Sequence, residues 1–412
     1  MKKEKVKLAV PMVIIWCAAI LLFMVMQNGE DFFSANPKLF DYVTWTTEYQ
    51  DNILYKIFWI IGDWTECQAY KSLPGALALL ISGFIFYGIM RNGKKHKMFP
   101  VLGPINLFPG MVLAGFTGVI VSNILFGWQL QFGWIPTFLA CASIPGAVVI
   151  TYGGHWKVWL TAGILGGVIQ YPLSYLSLQI ANKISMTPLV VFTIIAVGLG
   201  GALITEIIRL LPWMKDVIKD ESARGIVPVE TLEIPQPEAS ISWYLRRMMA
   251  DFTELLFFGN EWVGLIYILA LVLSWAMNPA HIAYGIPYLF PAMIAGQFMA
   301  SSLSIVLWYG TYKKRGGFNT YCANEAMAVV PVFFGTIGVT AFTNIWFIVA
   351  MAVISAVLCP WIVDKVGGLL AKLTSKRYEG AVAGVTSGAP ALGISIGVVT
   401  LLCKGLLMTG LF

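Results

Sequence analysis

The most polar segment inside any apolar stretch of this chain runs from Asn319 to Glu325 and reads Asn-Thr-Tyr-Cys-Ala-Asn-Glu. A carboxylate in a membrane helix costs about 2.5–3.5 kcal/mol at mid-depth, so it normally faces a cavity or a polar partner. Thr320 and Asn324 lie within about one helical turn of Glu325. The segment predicts a site in which Glu325 takes up a coupling ion, while Asn319, Thr320 and Asn324 contact a substrate. A structural carboxylate paired with a polar neighbour is the alternative.

A second set of polar side chains lies in the preceding apolar stretch. Gln297, Ser301 and Ser304 recur at helical spacing, so they share one face of a helix. This face predicts the wall of a solute path, with Gln297 and Ser301 as substrate contacts. Hydrogen bonds between neighbouring helices are the alternative explanation.

Glycine and proline interrupt several apolar stretches, at 153–161, 170–172, 316–331 and 384–390. A broken helix frees backbone groups, which in hydrocarbon need protein, water or a ligand to satisfy them. Such breaks therefore predict cavities. The polar side chains at the breaks that we expect to contact substrate are Thr161, Gln170, Tyr171, Thr386 and Ser387. For 384–390, close helix packing through small residues is the alternative.

Helices in a bilayer are the elements that position these residues. Hydrophobic residues make up 58% of the 412 positions and charged residues 12%, against about 25% charged in soluble domains. We predict an all-α polytopic integral membrane protein with about eleven transmembrane helices of roughly 20 residues each. The predicted spans are 8–26, 73–90, 105–126, 133–152, 158–181, 187–209, 262–278, 286–311, 320–343, 345–363 and 382–410.

The charged residues between the spans predict an orientation. Basic residues are retained on the cytoplasmic side of a membrane. They fall on one side of the predicted topology, before the first span and at 91–97, 155–157, 209–219, 313–315 and 372–377, whereas Glu30, Asp31, Asp41, Glu48 and Asp51 fall on the other. This predicts a multi-pass protein of the plasma membrane with a cytoplasmic N-terminus and an external C-terminus.

Two segments do not have the composition of a span. Residues 41–70 are rich in aromatics but broken by charges, which predicts an outer interfacial segment within an N-terminal membrane half, 1–210. Residues 211–261 predict a cytoplasmic linker that carries an amphipathic helix on the membrane surface at 241–258. The C-terminal membrane half then covers 262–412.

The two halves share features that predict an internal repeat. Trp134-Ile-Pro136 and Gly285-Ile-Pro287 each open a span, and Pro172 and Pro331 interrupt a later one. These matches favour a parallel correspondence of spans 3–6 with spans 7–10. Pairing spans 2–6 with spans 7–11 would instead give two units of opposite orientation. Duplicated halves with broken helices are typical of secondary transporters.

Several classes of function find no support in the sequence. It contains no Walker loop, zincin helix or nucleophile elbow. His96, His155 and His281 lack the spacing of metal ligands. The net charge of +6 is explained by lysine and arginine residues in short loops that are retained on the cytoplasmic side. We therefore expect no enzyme, no cofactor, no metal and no nucleic-acid partner.

We expect a secondary active transporter, a proton- or sodium-coupled symporter that moves a small polar or organic solute by alternating access. Its partners would be the lipid bilayer and the solute, with self-association into a homo-oligomer left open. A passive channel or the membrane subunit of a multi-component permease is the main alternative. An integral-membrane enzyme acting on lipid-linked substrates is the third.

Overall fold

A computed structural model describes the chain except for residues 1, 92–98, 100–104, 133, 139–143, 184–188, 220–235 and 375. The regular structure of the described residues is helical, which confirms the all-α class. The first half contains α1 Lys2–Ser34, α2 Tyr42–Glu48, α3 Ile53–Glu66, α4 Leu73–Arg91, α5 Phe108–Phe126, α6 Ile144–Tyr152, α7 Trp156–Leu165, α8 Tyr171–Lys183 and α9 Leu189–Leu210. The remainder contains α10 Pro212–Lys219, α11 Ile241–Glu254, α12 Glu261–Met277, α13 Leu289–Arg315, α14 Tyr321–Thr336, α15 Ile345–Ile362, α16 Gly368–Thr374 and α17 Gly380–Met408.

Seven helical stretches within the described ranges are long and apolar enough to cross a membrane. They are Lys3–Ser34, Leu73–Arg91, Phe108–Leu130, Val191–Leu210, Leu289–Arg315, Ile345–Thr374 and Gly380–Met408. Four predicted spans remain. The span 133–152 lies partly outside the described residues, and 158–181 covers α7 and α8. The spans 262–278 and 320–343 coincide with the shorter helices α12 and α14, the last with 16 residues. The chain is thus consistent with an α-helical membrane protein, and seven of the eleven predicted spans meet the criteria for crossing.

Some predicted breaks are present and two are not. Gly153 and Gly316, with φ of 96° and 72°, end α6 and α13 in the left-handed conformation that glycine allows. A π-helical turn at 166–170 joins α7 to α8, and a second at 363–367 joins α15 to α16. The interruptions predicted at 384–390 and at Pro331 are wrong, because α17 continues through Pro390 to Met408 and α14 continues through Pro331 to Thr336.

The hydroxyl groups of the 384–390 segment find their partners within the helix. Thr386 Oγ1 donates to the carbonyl of Val382 at 3.0 Å, and Ser387 Oγ donates to that of Ala383 at 2.7 Å. Both hydroxyls are thus satisfied by their own helix, one turn back. A Cβ at Gly198 of α9 would stand 2.5 Å from Pro390 Cγ, so the glycine lets α9 pack closely against the proline.

The two segments predicted to rest on the membrane surface each bury one face against the rest of the described protein and leave apolar side chains exposed on the other, such as Ile53 and Ile241. Residues 41–70 form α2 and α3, in which Trp45 and Trp59 are fully buried. The predicted amphipathic helix at 241–258 becomes α11, with Tyr244 and Asp251 buried against neighbouring helices. Buried charges in both segments need partners within the protein, which accounts for the packing.

Candidate functional site

Two turns with the same sequence pattern bring pairs of carboxyl groups into the interior. Helix α3 ends in Asp63-Trp-Thr-Glu66, and α11 ends in Asp251-Phe-Thr-Glu254, 188 positions later. The chain then turns into α4 and α12, respectively. We call residues 63–73 the first corner and residues 251–261 the second corner.

The backbone of the two corners follows the same course. In each, the carbonyl of the threonine accepts amide hydrogen bonds from the third and fifth residues after it, at 3.1–3.3 Å. Two positive φ angles follow, at Ala69 and Lys71 (57° and 46°) and at Phe257 and Gly259 (64° and 54°). Since all four positions keep the 188-residue spacing, the likeness extends from sequence to conformation.

The first corner holds one cation between two carboxylates. Lys71 is fully buried, pairs with Asp63, and lies 2.9 Å from Glu66 Oε2. Its ammonium group also lies 3.6 Å from the centre of the Trp59 ring, which adds a cation–π attraction. Thr137 Oγ1 donates to Asp63 at 2.9 Å. Burial raises the pKa of Glu66 to about 7, although Lys71 acts to lower it.

The second corner holds the same charges with a different cation. The guanidinium of Arg247 pairs with Asp251 at 2.5 Å and also with Glu254. Thr320 Oγ1 donates to Asp251 at 2.9 Å, and Ser301 Oγ donates to it at 2.6 Å. Burial raises the pKa of Glu254, against the lowering effect of Arg247. Each corner is thus a buried cluster of two carboxyl groups and one base.

A second shared motif packs each corner against the other half of the chain. Leu-Phe-Pro-x-Met begins at Leu107, where α5 starts, and again at Leu289, where α13 starts. The ring of Tyr70 in the first corner lies 5.6 Å from that of Phe290, between centroids. Phe258, its counterpart in the second corner, lies 5.2 Å from Phe108. The contacts are therefore reciprocal between the halves.

A cavity of about 920 Å³ lies between the two corners. The corners contribute matching residues to its wall, Glu66 and Ala69 from the first and Glu254 and Phe257 from the second. Helix α14 contributes Glu325, and α17 contributes a surface of small residues around Ser387. Most of the remaining wall is apolar or aromatic. A cavity of this size and character is typical of a small-molecule site.

Glu325 has the least satisfied charge in this wall. Its side chain is 2% exposed, and Oε2 has no hydrogen-bond partner among the described residues. The neighbouring Asn324 accepts from Gln297 at 2.9 Å, and the hydroxyl of Tyr70 donates to Gln297. This chain of polar groups runs from the first corner to the residue before Glu325, but it does not satisfy the carboxyl group itself.

The predicted substrate contacts divide into two groups. Asn319, Ser387 and the predicted coupling residue Glu325 line the cavity. The others are absent from its lining residues and bond elsewhere: Thr161 with Trp213, Gln170 with Ser174, Tyr171 with Gln129, Gln297 with Tyr70, Ser301 and Thr320 with Asp251, Asn324 with Gln297, and Thr386 with its own helix. The two criteria used on the sequence, helix breaks and polar side chains in apolar stretches, thus selected both residues that line the cavity and residues that do not.

The sequence reasoning missed the charges of both corners. Lys71, Asp63 and Glu66 fell in the stretch read as interfacial, and Arg247, Asp251 and Glu254 in the predicted surface helix. The signal that would have found them is the repeated Asp-aromatic-Thr-Glu pattern, reinforced by the two copies of Leu-Phe-Pro-x-Met.

Comparisons with protein-family models, with curated proteins and with solved structures give no match for this chain. Its fold is consistent with an α-helical membrane protein, and the described residues contain a cavity lined by carboxyl groups from two similar corners.

Proposed function

We propose that the chain is a secondary active transporter of a small polar or organic solute, which works by alternating access with proton coupling. The observation that carries the proposal is the cavity between two matched corners, with the buried Glu325 in its wall. Transporters built from duplicated halves hold their substrate at the interface of the repeats.

The order of the motifs supports an inverted repeat. A corner, a helix that follows it and a Leu-Phe-Pro-x-Met helix occur in this order at 63–111 and again at 251–293. This order matches spans 2–6 with spans 7–11, which the predicted topology places in opposite orientation. It speaks against the parallel pairing of spans 3–6 with spans 7–10. Two inverted halves supply two equivalent ways of closing one cavity.

In this proposal the first corner lies toward the outside and the second toward the cytoplasm. The assignment rests on the retention of basic residues in cytoplasmic loops of the plasma membrane, with the N-terminus inside and the C-terminus outside. The two corners would close opposite entrances, and Glu325 would take up or release a proton between them. A buried carboxyl group without a partner is suited to this role because its ionised form is costly.

The test uses purified protein reconstituted into proteoliposomes that contain a pH-sensitive dye. A panel of solutes is added without a pH gradient and with one imposed in either direction, and both solute uptake and proton movement are followed. We expect gradient-dependent uptake by the natural chain and uptake at the background level for Glu325→Gln. Glu48→Gln is the matched control, because Glu48 is exposed at the end of α2.

Two outcomes would contradict the proposal. Solute flux that is indifferent to the gradient and unchanged in Glu325→Gln would indicate a passive channel. Failure of the whole panel, combined with co-purification of a cytoplasmic ATPase, would indicate the membrane subunit of a larger permease.

A further inference from the structure

The charges around the cavity do not balance. In each corner two carboxyl groups share one base, Lys71 or Arg247. Glu325 adds another carboxyl group, which pairs with no base in the described part of the chain, while Asp364 at the cavity wall already pairs with Arg315. The described residues that line the cavity include no lysine, arginine or histidine. The site therefore has an excess of acidic groups that protons or a bound cation would offset.

The rest of the wall suits the body of an organic cation. Trp134, Tyr284, Tyr42, Tyr321 and Phe257 line the cavity. Aromatic faces attract cations, and more strongly where water is excluded. Apolar side chains from α9, α14 and α17 make up much of the remaining surface, which favours a ligand with hydrocarbon or ring atoms over a bare metal ion.

We propose that the cavity binds an organic ammonium ion, with its nitrogen against the Glu325 carboxylate and its apolar part on the aromatic wall. This inference rests on the proposed transport function and names its substrate class. A carboxylic acid or phosphate would meet repulsion from three cavity-lining glutamates, Glu66, Glu254 and Glu325. A neutral solute would leave the buried, unpartnered oxygen of Glu325 without a cation.

The same geometry assigns the coupling mode. One carboxyl group binds either a proton or an ammonium ion, because both neutralise the same charge. An ammonium ion that reaches Glu325 displaces its proton, which is released to water, and a proton that returns displaces the ammonium ion. Proton and substrate then exclude each other, so the transporter exchanges them across the membrane instead of moving both in one direction.

The test uses benzyltrimethylammonium, whose positive charge does not depend on pH. Isothermal titration calorimetry on the detergent-purified full chain measures its binding at several pH values, and buffers of different ionisation enthalpy count the protons released. The matched probes are neopentylbenzene, which has the same shape without the charge, and benzoate. We expect binding of the cation alone, with proton release, and weaker binding as the pH falls. Preferred binding of benzoate or of neopentylbenzene would overturn the assignment.

Three variants test the role of Glu325. Glu325→Gln should lose cation binding, Glu325→Asp should retain part of it because the charge is preserved, and the exposed Glu48→Gln should bind as the natural chain does. Gel filtration confirms that each variant is folded before titration. Cation binding that survives in Glu325→Gln, with unchanged proton release, would overturn the site.

The two proposals fail separately. If the cation does not bind but another solute shows Glu325-dependent, gradient-driven uptake, the substrate class is wrong and the transport function stands. If the cation binds with the expected dependence on Glu325 but no proteoliposome takes it up, the site stands and the transport function falls.

Discussion

The two corners place their carboxyl groups alike but obtain their positive charge from different positions. In the first corner the base is Lys71, within the turn, where the second corner has Gly259. In the second corner the base is Arg247, one helical turn before Asp251, where the first corner has Trp59. What the corners share is therefore one buried positive charge between two carboxyl groups, and either position in the chain can supply it.

The backbone shows what the first arrangement costs. Lys71 has φ of 46°, a left-handed conformation that costs an L side chain roughly 1–2 kcal/mol. Gly259 adopts φ of 54° without this cost, because it lacks a Cβ. The ion pairs of Lys71 with Asp63 and Glu66 offset the strain in the first corner.

A loop from the opposite half of the chain forms a hydrogen bond with each corner, and the donor and acceptor groups differ between the two. Nε2 of His281, between α12 and α13, accepts the amide hydrogen of Leu73 at 3.3 Å. In the second corner the amide of Phe99, between α4 and α5, donates to Glu261 at 2.8 Å. Burial lowers the pKa of His281 to about 4, which keeps its ring neutral and able to accept.

Replacement of the bases should have the largest effect on stability. Lys71→Met leaves Asp63 and Glu66 buried without a cation, and a broken buried pair costs about 3–5 kcal/mol. Arg247→Met should cost less, because Glu254 is 17% exposed and water can reach it, whereas the side chain of Glu66 is inaccessible. Thermal and denaturant unfolding of the purified protein in detergent measures both.

Lys38→Met is the control for lysine removal, since Lys38 is exposed between α1 and α2. It should leave the unfolding temperature unchanged. Equal losses for Lys71→Met and Lys38→Met would show that the first corner contributes no specific stability.

The pH dependence of the unfolding free energy should also distinguish the two corners. Its effect should be smaller than that of removing a base and larger than that of removing a threonine hydroxyl. The folded-state pKa of Glu66, about 7, lies above its ordinary value of 4.5, so folding favours the protonated form. The stabilisation is complete below about pH 4.5 and is lost as the pH rises through 7, amounting to about 1–3 kcal/mol. Glu66→Gln should flatten this dependence. Glu254→Gln should do so to a smaller degree, because Glu254 is partly exposed and water can stabilise its ionised form, whereas the side chain of Glu66 is inaccessible.

Unfolding curves for the natural chain and both variants at steps from pH 4.5 to 8 measure this difference. The exposed Glu48→Gln should reproduce the pH profile of the natural chain. A Glu66→Gln profile that is parallel to the natural one would mean that Glu66 stays ionised in the folded protein across this range.

Composition was enough to predict the class of fold, and an isolated acid in an apolar stretch was enough to single out Glu325, which the structure places in the cavity wall. Both inferences follow from the cost of polar groups in hydrocarbon. The buried charges of the two corners were not predicted, because the same rule assigns charged residues to loops. It does not anticipate charges such as Asp63 and Lys71, which neutralise each other and become buried.

Local composition was also a weak guide to helix breaks. Gly384, Gly388 and Pro390 predicted an interruption, but their segment is helical, its hydroxyls bond to the preceding turn, and α9 packs closely against the proline. The π-helical turn at 166–170 directly precedes the Tyr171-Pro172 pair that predicted a break, whereas the turn at 363–367 was not predicted. Tertiary packing decides which glycines and prolines bend a membrane helix.

The smallest expected effect comes from the threonines that donate to the corner aspartates. Thr137→Val and Thr320→Val each remove one hydrogen bond of 2.9 Å to a buried carboxylate that keeps its ion pair, which costs about 0.5–1.5 kcal/mol. The loss at Thr137 should be the larger, because the Ser301 hydroxyl donates to Asp251 at 2.6 Å, a shorter bond than the 3.3 Å bond that the Asn123 amide donates to Asp63. The exposed Thr47→Val serves as control for the loss of a hydroxyl. If Thr320→Val proved the more harmful in denaturant unfolding, the second corner would depend on its hydroxyl donors more than on Arg247, and the charge balance would not be the common basis of the two corners.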